Sequence, residues 1–356
     1  MHLKEGTVPK DYQVYLNRKV HWIILGIFLS LILFVIALSV GAVAIPPLEV
    51  IQTLVGTTTS LKWDRIIWNI RLPQALAAVI AGVGLAVAGV AMQSILRNPL
   101  ASPFTLGISS AGAFGAAVSV VLLGAGNIQS TVANPISISN PYLTTIVAFV
   151  FCMIATGLIL MISHFKGASP EVMILTGVAL SSLFSAGVMF LQYFSNDAQL
   201  AAVVFWTFGD VGRVTWDMLP LMAVVTGAGT LYFIANRWNY NAIDAGDETA
   251  QGLGVNVVQV RLIGMTVAAL ISAVIVSLLG VIGFVGLVCP HMVRRVIGDD
   301  QRFLIPGSAV AGAILLLASD TMARVIVAPY VLPVAVLTAF MGAPVFIFLL
   351  FRGYKR

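Results

Sequence analysis

Three places in the chain combine residue types that could do chemistry, or that carry charge where charge is costly. Asp320 and Arg324 stand four residues apart within a long apolar run, the spacing of an ion pair along one helix face. Ionisable groups in such runs pair or serve a function, because lipid does not solvate them. His291 is followed by Arg294, Arg295, Asp299 and Asp300. A metal site on a helix needs a second ligand one turn away, and His291 has none at i+3 or i+4. A structural hydrogen-bonding role is therefore expected of it, and an enzyme built on His291, Asp299 and Asp300 lacks a metal-ligand pair or a nucleophile–base set. The third place runs from Asp244 to Asn256, where Asp247 and Glu248 open a short helix and Gly252-Leu253-Gly254 stops it. The P-loop pattern G-x-x-x-x-G-K-[ST] occurs nowhere, so nucleotide is not bound by that route.

The elements that must position these groups follow from composition. Charged residues make up only 9% and apolar ones 59%, with mean hydropathy +1.01. A soluble domain carries about a quarter charged residues, so lipid has to be the solvent. A helix needs about 20 apolar residues to cross a bilayer. That length predicts about ten crossings, near 20–44, 72–93, 103–124, 142–163, 170–194, 218–235, 260–281, 283–298, 305–328 and 332–351. No gap is long enough for a soluble domain, so the expectation is one all-α integral membrane domain over 1–356, with a polar tail at 1–19. The run from 20 is too long for a signal-peptide core, although Ala42-Val43-Ala44 mimics a cleavage site. It is expected to stay as the first membrane helix.

The net charge of +5 is spread over short clusters between apolar runs, not along a basic stripe interleaved with aromatics, which argues against nucleic acid. Of the 19 Lys and Arg residues, fourteen fall on the side of both termini. Lys62, Arg65, Arg71, Arg213 and Arg324 fall on the other. The positive-inside rule then places both termini in the cytoplasm of a multi-pass protein of the cell membrane. The acidic segment lies in the cytoplasmic stretch 237–258, against that charge trend, and is expected to dock a cytoplasmic partner. Cys152 and Cys289 both sit in apolar segments, as inert buried thiols.

The second crossing is dense in small residues, with Gly82 and Ala86, and Gly84 and Ala88, four apart. Such spacing lets a neighbouring backbone approach closely, so this helix is expected at the centre of the bundle. Arg71-Leu72-Pro73-Gln74 precedes it and reads as a helix start with Pro in the first turn. After it comes Arg97-Asn98-Pro99-Leu100-Ala101-Ser102-Pro103, a rigid turn bracketed by prolines.

Together with Trp206 and Gly209, Gly280 to His291, Pro306-Gly307-Ser308, Leu332-Pro333 and Gly342-Ala343-Pro344, these stretches resemble, in order and over nearly the whole chain, the permease subunits of type II ABC importers. This is the FecCD-type family of iron-siderophore, haem and vitamin B12 transporters. The resemblance implies the ten-helix type II permease fold, a second permease copy as a homodimer, two cytoplasmic ATP-binding subunits and an extracytoplasmic substrate-binding protein. It implies ATPase coupling through Asp247, Glu248, Ala250, Leu253 and Gly254, and docking of the binding protein on Arg71 and Arg324. Asn98, Leu100 and Ser169 are implied at the gate. It brings no cofactor, no metal and no catalysis in this chain. Four positions depart from the family pattern: Gln74 where a second basic residue is common, Val331 where a Glu is common, Ala335 for Gly, and Gln301 for His in Asp300-Gln301-Arg302.

The implied mechanism is alternating access driven by a separate ATPase. An ion-coupled secondary transporter is the alternative, and Asp320 is the one buried acid it could use. A non-transporting receptor or scaffold is a third reading. Cargo stays open among ferric siderophore, haem, corrinoid and oxyanion. Gln192, Tyr193, Ser195 and Asn196 are expected near the outer end of an otherwise apolar path.

Overall fold

The computed structural model describes residues 10–41, 43–57, 60–125, 140–328 and 330–353, and among them every regular element is helical. In chain order these are α1 (Lys10–Ser39), α2 (Pro47–Val55), α3 (Leu61–Ile66), α4 (Leu72–Ile95), α5 (Ile108–Val121), α6 (Pro141–His164), α7 (Pro170–Tyr193), α8 (Asp197–Thr207) and α9 (Leu219–Ala235). They continue as α10 (Arg237–Asp244), α11 (Asp247–Gly252), α12 (Val257–Leu279), α13 (Val285–Ile297), α14 (Gln301–Ala323) and α15 (Val334–Gly353).

The hub is α4. It is buried almost all round and packs against α14, α12, α13 and α9. Its small residues permit this. A Cβ on Gly82 would run into the backbone of Gly312 on α14, and one on Gly89 into the carbonyl of Gly286 on α13. Without a hydrophobic drive between helices in lipid, such backbone-to-backbone approach is what holds a bundle together. By contrast α1, α6 and α7 bury only one flank, leaving broad apolar faces for lipid.

A helix stands at each of the ten segments expected to cross, but they differ in length. Among the described residues six helices are long and apolar enough to span a membrane on their own: Asp11–Ser39, Leu61–Ile95, Pro141–His164, Pro170–Tyr193, Val257–Leu279 and Gln301–Ala323. A seventh is possible through α9 and α10, which meet at a 61° bend. α5, α13 and α15 are shorter. Residues 103–107 and 280–281, counted as span by hydropathy, are irregular backbone, with Pro103, Leu106, Gly107 and Gly280 buried in protein while Phe104 and Thr105 are exposed. Non-helical chain is tolerated at membrane depth only where protein buries it or it lines a cavity. The Asp210 amide, for example, donates to the Leu279 carbonyl at 2.7 Å.

Two local details go beyond the sequence reading. Half of the polar tail is helical, since α1 begins at Lys10, while residues 1–9 and Ala42 lie outside the described residues. Pro73 stands in the first turn of α4 as expected, but no loop precedes it. A π-helical turn, Ile67–Arg71, runs from α3 straight into α4. Proline lacks an N–H and disrupts the regular ladder, and here the wider turn leads directly into it.

Candidate functional site

Three groups of residues carry the sequence expectations, and the bundle places them at two ends. At the basic end lies the segment of α10 and α11. Arg261 of α12, with its side chain 3% exposed, holds this segment. Its Nη1 and Nη2 each donate to Asp247 at 2.7 Å, in a two-pronged clamp, and its Nε donates to the Ile95 carbonyl at 3.0 Å. Arg97 stands 3.8 Å from the same carboxylate. One guanidinium therefore ties the start of α11 to the last turn of α4. Charge-assisted bidentate pairs of this kind are strong and directional.

The five residues expected to couple to an ATPase separate into two sets. Glu248 and Leu253 are exposed, Leu253 at 70%. Ala250 is buried with Ala242, Ile243 and Val257, and Asp247 is held from within by Arg261. Gly254 takes a positive φ of 83°, which closes the turn: its amide donates to the Gln251 carbonyl and that of Val255 to Ala250, both at 2.9 Å.

A second tether was missed in the sequence. Gln301 Nε2 donates to Asp244 and to Ser94 Oγ, each at 2.8 Å, and Ser94 Oγ donates to Asp244 at 3.1 Å. Asn241 accepts from the Gln301 amide at 2.8 Å and donates to Asp300 at 3.2 Å. Burial acts to raise the Asp300 carboxyl, but hydrogen bonds from Arg302 and Asn241 outweigh it and hold it below the usual carboxylate range. α10 is thus pinned to α4 and α14. The departure at Gln301 was the available signal, since its amide makes these bonds.

The turn after α4 carries two of the three expected gate residues. Asn98 Oδ1 accepts the Leu100 amide at 2.9 Å, an Asx turn, and Leu100 is 46% exposed. Arg97 takes a positive φ of 45°. Ser169 precedes α7 and bonds Glu171 of its own helix.

At the opposite end Arg71 and Arg324 converge on the C-terminus of α1. Arg71 donates to the Leu38 carbonyl at 2.6 Å, to Ser39 at 3.0 Å and to Val43. Arg324 donates to Ala37 at 3.1 Å and Val40 at 3.2 Å. The last carbonyls of a helix lack intrahelical partners and carry its negative pole, and these two cations satisfy both needs. Both arginines are buried. The expected pair of Asp320 and Arg324 is present at 3.1 Å, and Gln74 donates to the other Asp320 oxygen at 2.8 Å. His291 departs from expectation, because its Nδ1 is buried without a hydrogen-bond partner. Among the described residues no three His, Cys, Asp or Glu gather as a metal site.

Between the ends an apolar cavity of about 580 Å³ opens among α8, α13 and α15, lined by Phe104, Phe208, Phe284, Ala335 and Phe340 among others. Phe284 adopts a φ of +65°, a strained state for a bulky residue, and its ring meets Gly342, where a Cβ would lie 2.7 Å from that of Phe284. A neighbouring cavity of about 270 Å³ adds Ser109, Ser110, Ser185 and Gln192 to an otherwise largely apolar wall. Spacing alone did not single out these aromatics, which are separated along the chain and meet only in the bundle.

Comparison with known proteins decides among the readings of this arrangement. Residues 29–352 match the FecCD transport family. The chain belongs to that family. It is similar to a Methanocaldococcus jannaschii protein assigned as an ABC transporter permease, with 52% identity over 98% of this chain and 99% of the relative. It is also similar to the hemin transport system permease protein HmuU of Yersinia pestis, 37% identical over 92% of this chain and 96% of that one. The vitamin B12 import system permease protein BtuC of Citrobacter koseri is 34% identical over 95% and 96% respectively. Among solved structures, a transporter assigned to the metal-chelate type of ABC transporter, in an inward-facing conformation, superposes with a TM-score of 0.80. It has 28% identity and covers 93% of this chain and 98% of that one. This FecCD chain is a multi-pass membrane permease of the ABC importer class.

Proposed function

We propose that the chain is the transmembrane subunit of an ATP-driven importer that carries an iron chelate, haem or a corrinoid inward, working as a homodimer with two ATP-binding subunits and an external substrate-binding protein. The observation that carries this reading is the Arg261 clamp. A segment with an outward acid, Glu248, and an outward apolar residue, Leu253, is a docking surface, and Arg261 fastens it to the helix end that enters the Asn98–Leu100 turn. When nucleotide closes the ATPase dimer and displaces α11, Asp247 pulls on Arg261 and Ile95, and the turn moves with them. The work of hydrolysis thereby biases which gate is open. With both termini cytoplasmic, Arg71 and Arg324 lie at the outer end. Held as they are beneath α1, they act on the substrate-binding protein by shaping the corner between α1 and α2 and by giving it positive potential.

The apolar aromatic cavity suits a bulky planar cargo with few fixed charges, because such sites bind mainly by apolar burial with a few polar contacts. Gln192 and the nearby serines supply those contacts. Ion coupling is disfavoured because Asp320 is engaged by both Arg324 and Gln74. The test is transport in vesicles: ferric chelate, haem or cobalamin should accumulate only when the ATPase subunit, the binding protein and ATP are all supplied.

A further inference from the structure

Gln93 stands in the last turns of the hub helix α4, only 3% exposed, and both ends of its amide are engaged by α13. Its Nε2 donates to the Leu287 carbonyl at 3.4 Å, and its Oε1 accepts from Arg294 Nη1 at 3.0 Å. Arg294 is steadied in turn by Asp299, whose carboxylate lies 2.7 Å from its Nε. A buried amide matched at both ends fixes the register of two helices, because slipping would leave polar groups unpaired in an apolar interior.

Gln93 also opens the turn that carries two of the gate residues. The Asn98 amide donates to the Gln93 carbonyl at 3.0 Å and the Arg97 amide to that of Ser94 at 3.1 Å, with Arg97 at a φ of +45°. This is a Schellman ending, usually built with glycine at the left-handed position. Arginine is held there against its own preference. The hold comes from three sides: α13 grips Gln93, α10 and α14 grip Ser94, and α12 grips Ile95.

The other end of α13 reaches the apolar cavity. Phe284, which precedes the helix, is part of the cavity wall and sits against Gly342 of α15. The Leu287 amide donates to its carbonyl at 3.0 Å. Hydrogen bonds therefore run without a break from Phe284 through Leu287, Gln93 and Asn98 to Leu100. The backbone contact of Gly89 with Gly286 lies one turn before Gln93 and gives α4 and α13 a common fulcrum.

We infer that Gln93 and Arg294 are positioning residues that relay the presence of cargo to the gate turn, a role that rests on the apolar cavity being the cargo path. Cargo shifts Phe284 and the start of α13, the Gln93 amide follows, and the carbonyl that closes the turn moves with it. The Arg261 clamp carries the signal of nucleotide to the same turn from α12, through Ile95. The two signals use different residues and meet only at the end of α4. Coupling of this kind needs an element with two arrangements, and the turn at Arg97 is that element.

The test is the rate of maleimide labelling of Leu100→Cys in the full complex with its ATPase subunit and binding protein, held in lipid nanodiscs. Leu100 is 46% exposed, while Cys152 and Cys289 are buried, so the label reports position 100. Labelling is followed on adding ATP and, separately, on adding whichever of haem, a ferric chelate or cobalamin accumulates in vesicles of the same complex. Each should change the rate about fivefold, the lower end of usual coupling between sites. Gln93→Ala should abolish the response to cargo and keep that to ATP, and Arg261→Lys should do the reverse. Gln93→Glu, which still accepts from Arg294, should keep both, so that loss in Gln93→Ala is not loss of the fold. A cargo response that survives in Gln93→Ala, or both responses lost together in either Gln93→Ala or Arg261→Lys, would overturn the relay. Accumulation of cargo with no cargo-dependent change at position 100 would also overturn it and leave the importer reading intact. No accumulation of any cargo would instead remove that reading, and the relay with it.

Discussion

Asp247 and Arg261 face each other through two parallel hydrogen bonds of 2.7 Å, and the same guanidinium reaches the Ile95 carbonyl at 3.0 Å. A lysine at 261 keeps the charge but cannot make all three contacts at once. Arg261→Lys should therefore leave the ATPase subunit bound and hydrolysing, yet lower cargo moved per ATP about tenfold. Glu248→Gln, on the outward face of α11, should instead weaken ATPase binding. Measuring hydrolysis and uptake side by side in the reconstituted complex separates the two. Asp247→Ala should in addition cost about 3 kcal/mol, by leaving a buried cation unpaired.

The packing of α4 makes a sharper prediction about stability. A Cβ on Gly89 would meet the Gly286 carbonyl, while Gly227 on α9 has nothing within 4 Å of where a Cβ would stand. Gly89→Ala should lose about 1–3 kcal/mol through overpacking, read as a clear fall in thermal unfolding temperature. Gly227→Ala should be neutral or slightly stabilising, since Ala is the better helix former.

Arg71 and Arg324 carry a prediction with two readouts. Arg71→Glu and Arg324→Glu should weaken binding of the substrate-binding protein while the ATPase subunit still assembles. Because each also leaves carbonyls at the end of α1 without donors, stability should drop as well, by about 2 kcal/mol. Affinity unchanged in both variants would remove the outer end from the docking scheme.

The two cysteines give a simple check on burial. Cys152 is fully buried and Cys289 is 1% exposed, and Cys152 donates to the Ile108 carbonyl at 3.3 Å. Only an accessible thiolate reacts readily. Neither thiol should label with maleimide in the folded protein, and both should label after unfolding in denaturing detergent.

Much of this arrangement was legible in the sequence, because lipid imposes a simple rule. Long apolar runs became helices, the small-residue stripe of Gly82 to Gly89 became the hub, and the spacing of Asp320 and Arg324 gave a real ion pair. Contacts between segments distant in sequence were not legible. Nothing near Arg261 marks it as the partner of Asp247, and the roles of Ser94, Asp244 and Gln301 exist only where α4, α10 and α14 meet. Arg71 illustrates the same limit. Its position at the helix mouth was readable, but the carbonyls of Leu38 and Ser39 that occupy it come from about 30 residues upstream. Hydropathy likewise counted 280–281 as span, since an irregular loop inside protein is as apolar as a helix in lipid.

The source of energy for transport separates an ATP-driven permease from an ion-coupled carrier. In vesicles holding this permease, uptake of labelled ferric chelate, haem or cobalamin should require ATP, the ATPase subunit and the substrate-binding protein together, and should stop when any one is withheld. Uptake by the permease alone, driven by a proton or sodium gradient, would contradict ATP-driven import.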